Sequence, residues 1–198
     1  MRRVVAWFGR TCLAMVGWRV VGGMPAAGRY VLIAAPHTSN WDFVLMMLCG
    51  MVLGIWPAWV GKHTLFGPPL GWLARAARGI PVDRDSSHNM VEQLAGQFAM
   101  RDALVLAMPP EGSRANSSYW RSGFYFVACR ARVPVALGFL DYGRRQGGIG
   151  PLLHPGDDLA ADMNRVRDFY ADKRGRFPQR QGPVRLRIED HPPADSEA

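Results

Sequence analysis

With 198 residues, 48% of them hydrophobic, the chain can bury one sizeable core, and it lacks the long apolar runs of a multi-span membrane protein. An excess of 24 Lys+Arg over 16 Asp+Glu, net +8, asks for an anionic partner (nucleic acid, an anionic membrane or an acidic carrier protein) or serves solubility alone. Cys12, Cys49 and Cys129 are odd in number, far apart and outside any CxxC, which argues against disulfides and thiolate metal sites and suits a reducing compartment.

The chain opens on Met1-Arg2-Arg3 and Val4–Phe8, like a signal peptide, but Arg10 and Arg19 interrupt the apolar stretch. Trp7, Phe8, Leu13, Met15, Val16, Trp18 and Val20 interleave with those arginines. Residues 1–22 are therefore a candidate interfacial helix, the alternative being a first helix packed on the core. Tyr30–Ala35 predicts a buried strand ending at Pro36. A helix follows from about Asn40, with Thr38, Ser39 and Asn40 all able to cap it. Val44–Val60 is uncharged but broken by Gly50, Gly54 and Pro57, which predicts a buried helix and then a strand at Ala58–Val60, with a re-entrant membrane segment as the alternative. Further strands are expected at Ile80–Val82, Ala103–Met108, Val133–Leu140 and Val184–Ile188, and helices at Ser87–Arg101, Gly123–Ala131 and Asn164–Tyr170. This alternation predicts an α/β fold with a mixed, largely parallel sheet flanked by helices. Residues 23–190 would form the domain and 191–198 a disordered tail.

Three loops carry residues suited to chemistry. His37 follows a strand and Asp42 lies in the first turn of the next helix. There the carboxylate can accept the Nδ1 proton, fix the tautomer and leave Nε2 as a base, while the helix N-terminus disfavours imidazolium. The same residues also fit a mere helix cap, and no third ligand stands at a spacing that completes a metal site. Pro110-Glu111-Gly112-Ser113-Arg114 also follows a strand. Gly112 permits close backbone approach, Arg114 offers a planar fork for phosphate, and Glu111 can orient that arginine or bind a substrate hydroxyl. Ser113 is not in a G-x-S-x-G elbow and is a poor nucleophile candidate. Lys62 and Arg84 follow strands of their own, so Lys62, Arg84 and Arg114 can converge on one anion.

Taken together these segments resemble the glycerolipid acyltransferases, the 1-acylglycerol-3-phosphate O-acyltransferase group. His37 and Asp42 match the HxxxxD motif, and Gly79–Arg84 is similar to the arginine-bearing second block. Pro110–Arg114 resembles the P-E-G-[ST]-R block, and Val133-Pro134-Val135 a fourth, proline-containing block, all in the family's order. Met108-Pro109 replaces the usual aromatic residue before P-E-G, and Trp120, Gly123 and Phe124 resemble a compact bacterial branch.

The resemblance implies His37 as general base oriented by Asp42, and no acyl-enzyme. Lys62, Arg84 and the block Glu111, Gly112, Ser113 and Arg114 would hold the acceptor's phosphate. The expected reaction moves a fatty acyl chain from acyl-CoA or acyl-carrier-protein, as co-substrate rather than cofactor, to a lysophosphatidic-acid-like lipid in phospholipid synthesis. A different hydroxylated or lyso-lipid acceptor, or a non-catalytic peripheral lipid-binding protein, are the alternatives. Nucleic-acid binding would explain the charge but not the order of the motifs. An anionic membrane is the expected surface, at the cytoplasmic face of the inner membrane, peripheral or monotopic. Met46, Met47 and Met51 would give a flexible wall to an acyl tunnel, or simply pack the core.

Overall fold

The computed structural model describes residues 2–69, 71–82, 87–112 and 117–190. Helix α1 (Arg2–Met15) leads into β1 (Arg19–Gly22), β2 (Arg29–Ala35), α2 (Trp41–Leu53) and β3 (Ala58–Lys62). A short α3 (Gly71–Ala76) precedes β4 (Gly79–Val82), α4 (Ser87–Ala99), β5 (Leu104–Met108) and α5 (Gly123–Ala131). The chain ends through β6 (Val135–Asp141), β7 (Gln146–Leu153), α6 (Leu159–Tyr170) and α7 (Arg187–Asp190).

The strands form one seven-stranded sheet in the order β1-β7-β6-β2-β5-β3-β4. From β6 to β4 all neighbours are parallel; β7 runs antiparallel to β6, and β1 follows β7. The expected α/β fold with a largely parallel sheet is the fold observed. The parallel strands β2 to β6 end at the same sheet edge, which is where loops of such a sheet meet.

Both faces of the centre are covered. On one face Val31, Ile33, Leu104 and Leu106 pack with Leu94 and Phe98 of α4, Phe124 and Val127 of α5, and Met163, Val166 and Tyr170 of α6. On the other, Leu13 of α1 and Leu45 and Cys49 of α2 pack with Trp18 and Leu140. Burial on both sides is why β2 and β5 read as continuous apolar runs rather than alternating ones. Gly9 lets α1 cross α2 closely: a Cβ there would stand 3.0 Å from the Leu48 carbonyl oxygen and 3.1 Å from the Met51 Cβ.

Three expectations need correction. The segment Val184–Ile188 is not a strand: Leu186 makes a single bridge to Trp120, and the chain then turns into α7. Side chains have taken its backbone groups, since Arg167 donates to the Val184 carbonyl and Glu189 accepts from the Leu186 amide. The helix in Val44–Val60 is only partly buried, for Phe43 and Val44 are exposed on its first turn. Residues 19–22, included in the candidate interfacial helix, instead form the edge strand β1. The strand β7, rich in glycine, had no sequence signature; at Gly147 a Cβ would come within 2.7 Å of the Cys49 Sγ. The tail 191–198 lies outside the described residues.

Candidate active site

The chain leaves β2 through a cis Ala35–Pro36 peptide and enters a tight turn at residues 37–40. Asp42, fully buried, reaches back to this turn: its Oδ2 accepts the backbone N–H groups of Thr38 and Ser39, each at 2.8 Å. Ser39 Oγ accepts from the Trp41 amide at 3.2 Å, and Asn40 makes no side-chain cap. Thr38 does not cap the helix either; its hydroxyl accepts from the Phe177 amide at 3.2 Å. Capping of α2 therefore falls to Ser39, and Asp42 fixes the turn in front of it.

His37 Nδ1 lies 3.3 Å from Asp42 Oδ2, within ion-pair reach but not aligned for a well-formed hydrogen bond. Nδ1 is buried, and the ring as a whole is 18% exposed, so Nε2 is the nitrogen left for a substrate. The other oxygen of Asp42 accepts from the Tyr142 hydroxyl at 2.6 Å. Burial alone would raise the Asp42 carboxyl, but the close approach of the His37 imidazole and the hydrogen bonds from Tyr142 and Ser39 outweigh it and hold the group below its ordinary value. Tyr142 is itself pushed up by burial and by its bond to Asp42, so it stays an O–H donor.

Glu111 is buried, and both its oxygens accept the His37 backbone N–H at 3.0 Å. The turn after β5 is thereby tied to the turn after β2. Burial pushes this carboxyl up to about 7 despite the lowering effect of His37, with a further push from Asp42. Gly112 follows at φ +69°, and the side chain of Arg121 occupies the space where its Cβ would be. The structure thus brings together His37, Asp42, Glu111 and Gly112. Lys62 stands exposed at the end of β3. Arg84, Ser113 and Arg114 lie outside the described residues.

Beside His37 opens a cavity of about 400 Å³ between α2 and the sheet. Its walls include Leu32, Phe43, Met46, Met47, Cys49, Ile55, Trp56, Trp59 and Val60. Met46 and Met47 line it as the sequence suggested, whereas Met51 packs toward α1. Among the described residues no group of three His, Cys, Asp or Glu side chains could hold a metal ion. A histidine held by a buried carboxylate on the wall of an apolar cavity can deprotonate a hydroxyl next to an alkyl chain.

A family model described as acyltransferase matches residues 20–136. The chain belongs to the acyltransferase family. As an enzyme of this family it has the fold of the 1-acyl-sn-glycerophosphate acyltransferase PlsC from Thermotoga maritima, with a TM-score of 0.56. The two chains are 16% identical, and the match covers 85% of this chain and 76% of that one. No curated protein gives a significant match.

Tyr142, whose hydroxyl holds Asp42 from 100 positions away, carried no signal. The segment 171–181 that meets Thr38, with Lys173, Arg174, Arg176 and Arg180, carried none either. Both lie beyond residue 136, where the family match ends.

Proposed function

We propose that this acyltransferase moves a fatty acyl chain from acyl-CoA or acyl-carrier-protein to the hydroxyl of a lysophosphatidic-acid-like lipid, in phospholipid synthesis. The observation that carries the reading is that His37, paired with Asp42, lines the apolar cavity. His37 Nε2 takes the proton of the acceptor hydroxyl while the oxygen attacks the thioester carbonyl. The C–S bond then breaks, and the leaving thiolate regains a proton. Asp42 keeps the imidazole in the tautomer this step needs and stabilises the imidazolium that forms. Glu111 fixes the His37 backbone, and the cavity takes the acyl chain. Lys62, Arg84, Gly112, Ser113 and Arg114 would hold the acceptor's phosphate, arginine matching it through two parallel N–H donors.

The enzyme would work at an anionic membrane surface. Among the described residues no helix is long and apolar enough to cross a membrane. The exposed Val4, Trp7 and Phe8 of α1, beside Arg2, Arg3 and Arg10, support an interfacial attachment.

The test is acyl transfer to lysophosphatidic acid by the purified protein in mild detergent, with acyl-CoA and acyl-carrier-protein supplied separately. His37→Ala should lose about 100-fold or more of the rate, as expected for a positioned base, with an unchanged melting temperature. Near wild-type turnover by a folded His37→Ala would refute the base assignment. Product with another lyso-lipid alone would move the acceptor and keep the mechanism.

A further inference from the structure

The segment 171–181 is a strap fastened across the catalytic turn. Its Arg174 carbonyl accepts from the Tyr142 amide at 2.8 Å, and its Phe177 amide donates to Thr38 Oγ1 at 3.2 Å. Gln181 closes the loop on itself, accepting from the Gly175 amide at 2.9 Å and donating to the Lys173 carbonyl at 3.0 Å. Of its three exposed arginines, Arg174, Arg176 and Arg180, the last two lie against aromatic rings. The Arg176 guanidinium lies 5.9 Å from the Trp41 ring and 5.7 Å from the Phe177 ring, and Arg180 lies 4.8 Å from the Phe177 ring. Aromatic faces hold both cations, and among the described residues neither forms a salt bridge. By contrast Arg144, close by, is engaged with Asp141 and Asp172.

The sheet order gives these cations a side. Lys62, Arg84 and Arg114, assigned above to the acceptor, follow β3, β4 and β5, strands on one flank of β2. The strap is bound to the end of β6, on the other flank. A transfer between two bound substrates needs the acceptor and the donor each positioned at the base. Arginines held against aromatic rings and without acidic partners, on a segment tied to Thr38 beside His37, suit a phosphate ester.

We infer that Arg176 and Arg180 bind a phosphate of the acyl donor, the one on the phosphopantetheine arm that acyl-CoA and acyl-carrier-protein share. The inference rests on the acyl transfer proposed above. It gives the region beyond residue 136 a role in donor recognition, with Trp41 and Phe177 holding the cations on a segment fastened to the turn that carries His37.

The test compares wild type with Arg176→Ala/Arg180→Ala, two exposed changes that leave the core alone. For both acyl-CoA and acyl-carrier-protein, kcat/KM should fall about 10-fold or more, while the acceptor KM stays the same; on an acyl-pantetheine thioester without phosphate the loss should shrink to about twofold. The double lysine variant should recover part of the loss. Calorimetric titration with free coenzyme A gives a readout independent of turnover, and its affinity should fall by a similar factor. A raised acceptor KM with unchanged donor kinetics would overturn the assignment, as would an equal loss on the phosphate-free thioester. If wild type transferred no acyl group, the proposed reaction would fail. Calorimetry would still decide the strap: weaker coenzyme A binding by the variant supports it, and equal or absent binding in both proteins overturns it.

Discussion

The polar atoms around His37 are fixed from three stretches of chain: its own turn, the loop at Glu111 and the loop at Tyr142. Asp42 takes two amides from the turn it follows and a hydroxyl from Tyr142, and Glu111 takes the amide of His37 itself. The two buried carboxylates respond to pH in opposite senses. Asp42, held below its ordinary 3.8, contributes stability above that pH and loses it as pH falls. Glu111, raised from 4.5 to about 7, contributes stability that is complete below 4.5 and is lost as pH rises through 7. Between pH 5 and 8 only Glu111 of this pair acts, and its loss is on the order of 2–3 kcal/mol. Glu111→Gln still accepts the His37 amide but cannot titrate. Its melting temperature should therefore fall less steeply over that range than that of wild type. Equal slopes for the two proteins would assign the dependence to other groups.

At the scale of elements, α1 does two things at once. Gly9 and Leu13 seat it on α2, while Val4, Trp7 and Phe8 face outward. The sequence posed the interfacial helix and the packed first helix as alternatives; the geometry accommodates packing on one side and an exposed apolar stripe on the other. Replacing Trp7 and Phe8 by serine should weaken binding to vesicles containing anionic phospholipid by about 10-fold or more, since each aromatic ring loses its burial in the interface. The melting temperature should hardly change, because neither ring is in the core. Vesicle binding equal to that of wild type would place the membrane contact elsewhere. Most elements were legible because they are apolar runs or amphipathic repeats. The strand β7 was not, since Gly147, Gly148 and Gly150 erase the pattern, and neighbouring atoms fill the places of their missing side chains. The expected late strand had the right composition but lost its backbone partners to Arg167 and Glu189.

Considered as a whole molecule, the enzyme separates its two faces. α4, α5 and α6 pack densely on one side of the sheet, and α2 stands off the other far enough to leave the cavity of about 400 Å³. Met47 lines that space, and its replacement by tryptophan would fill part of it. Met47→Trp should lower kcat/KM for long-chain donors about 10-fold relative to short ones, because each methylene denied burial costs about 1–3 kcal/mol. A uniform loss over all chain lengths would show that the acyl chain lies elsewhere.

The sequence by itself determined the α/β alternation, the order of the four blocks and the pairing of His37 with Asp42, since each is a local pattern within one strand, turn or helix. The family followed from those blocks, which occupy the region that the acyltransferase model matches. Only the tertiary structure decided what surrounds the pair. Glu111, Tyr142 and Phe177 lie 74, 100 and 139 positions from their partners His37, Asp42 and Thr38. Contacts at such separations depend on strand order and on how β5 and β6 flank β2, which no local periodicity encodes. The cavity is likewise a property of the gap between α2 and the sheet, set by packing across elements rather than by any one of them.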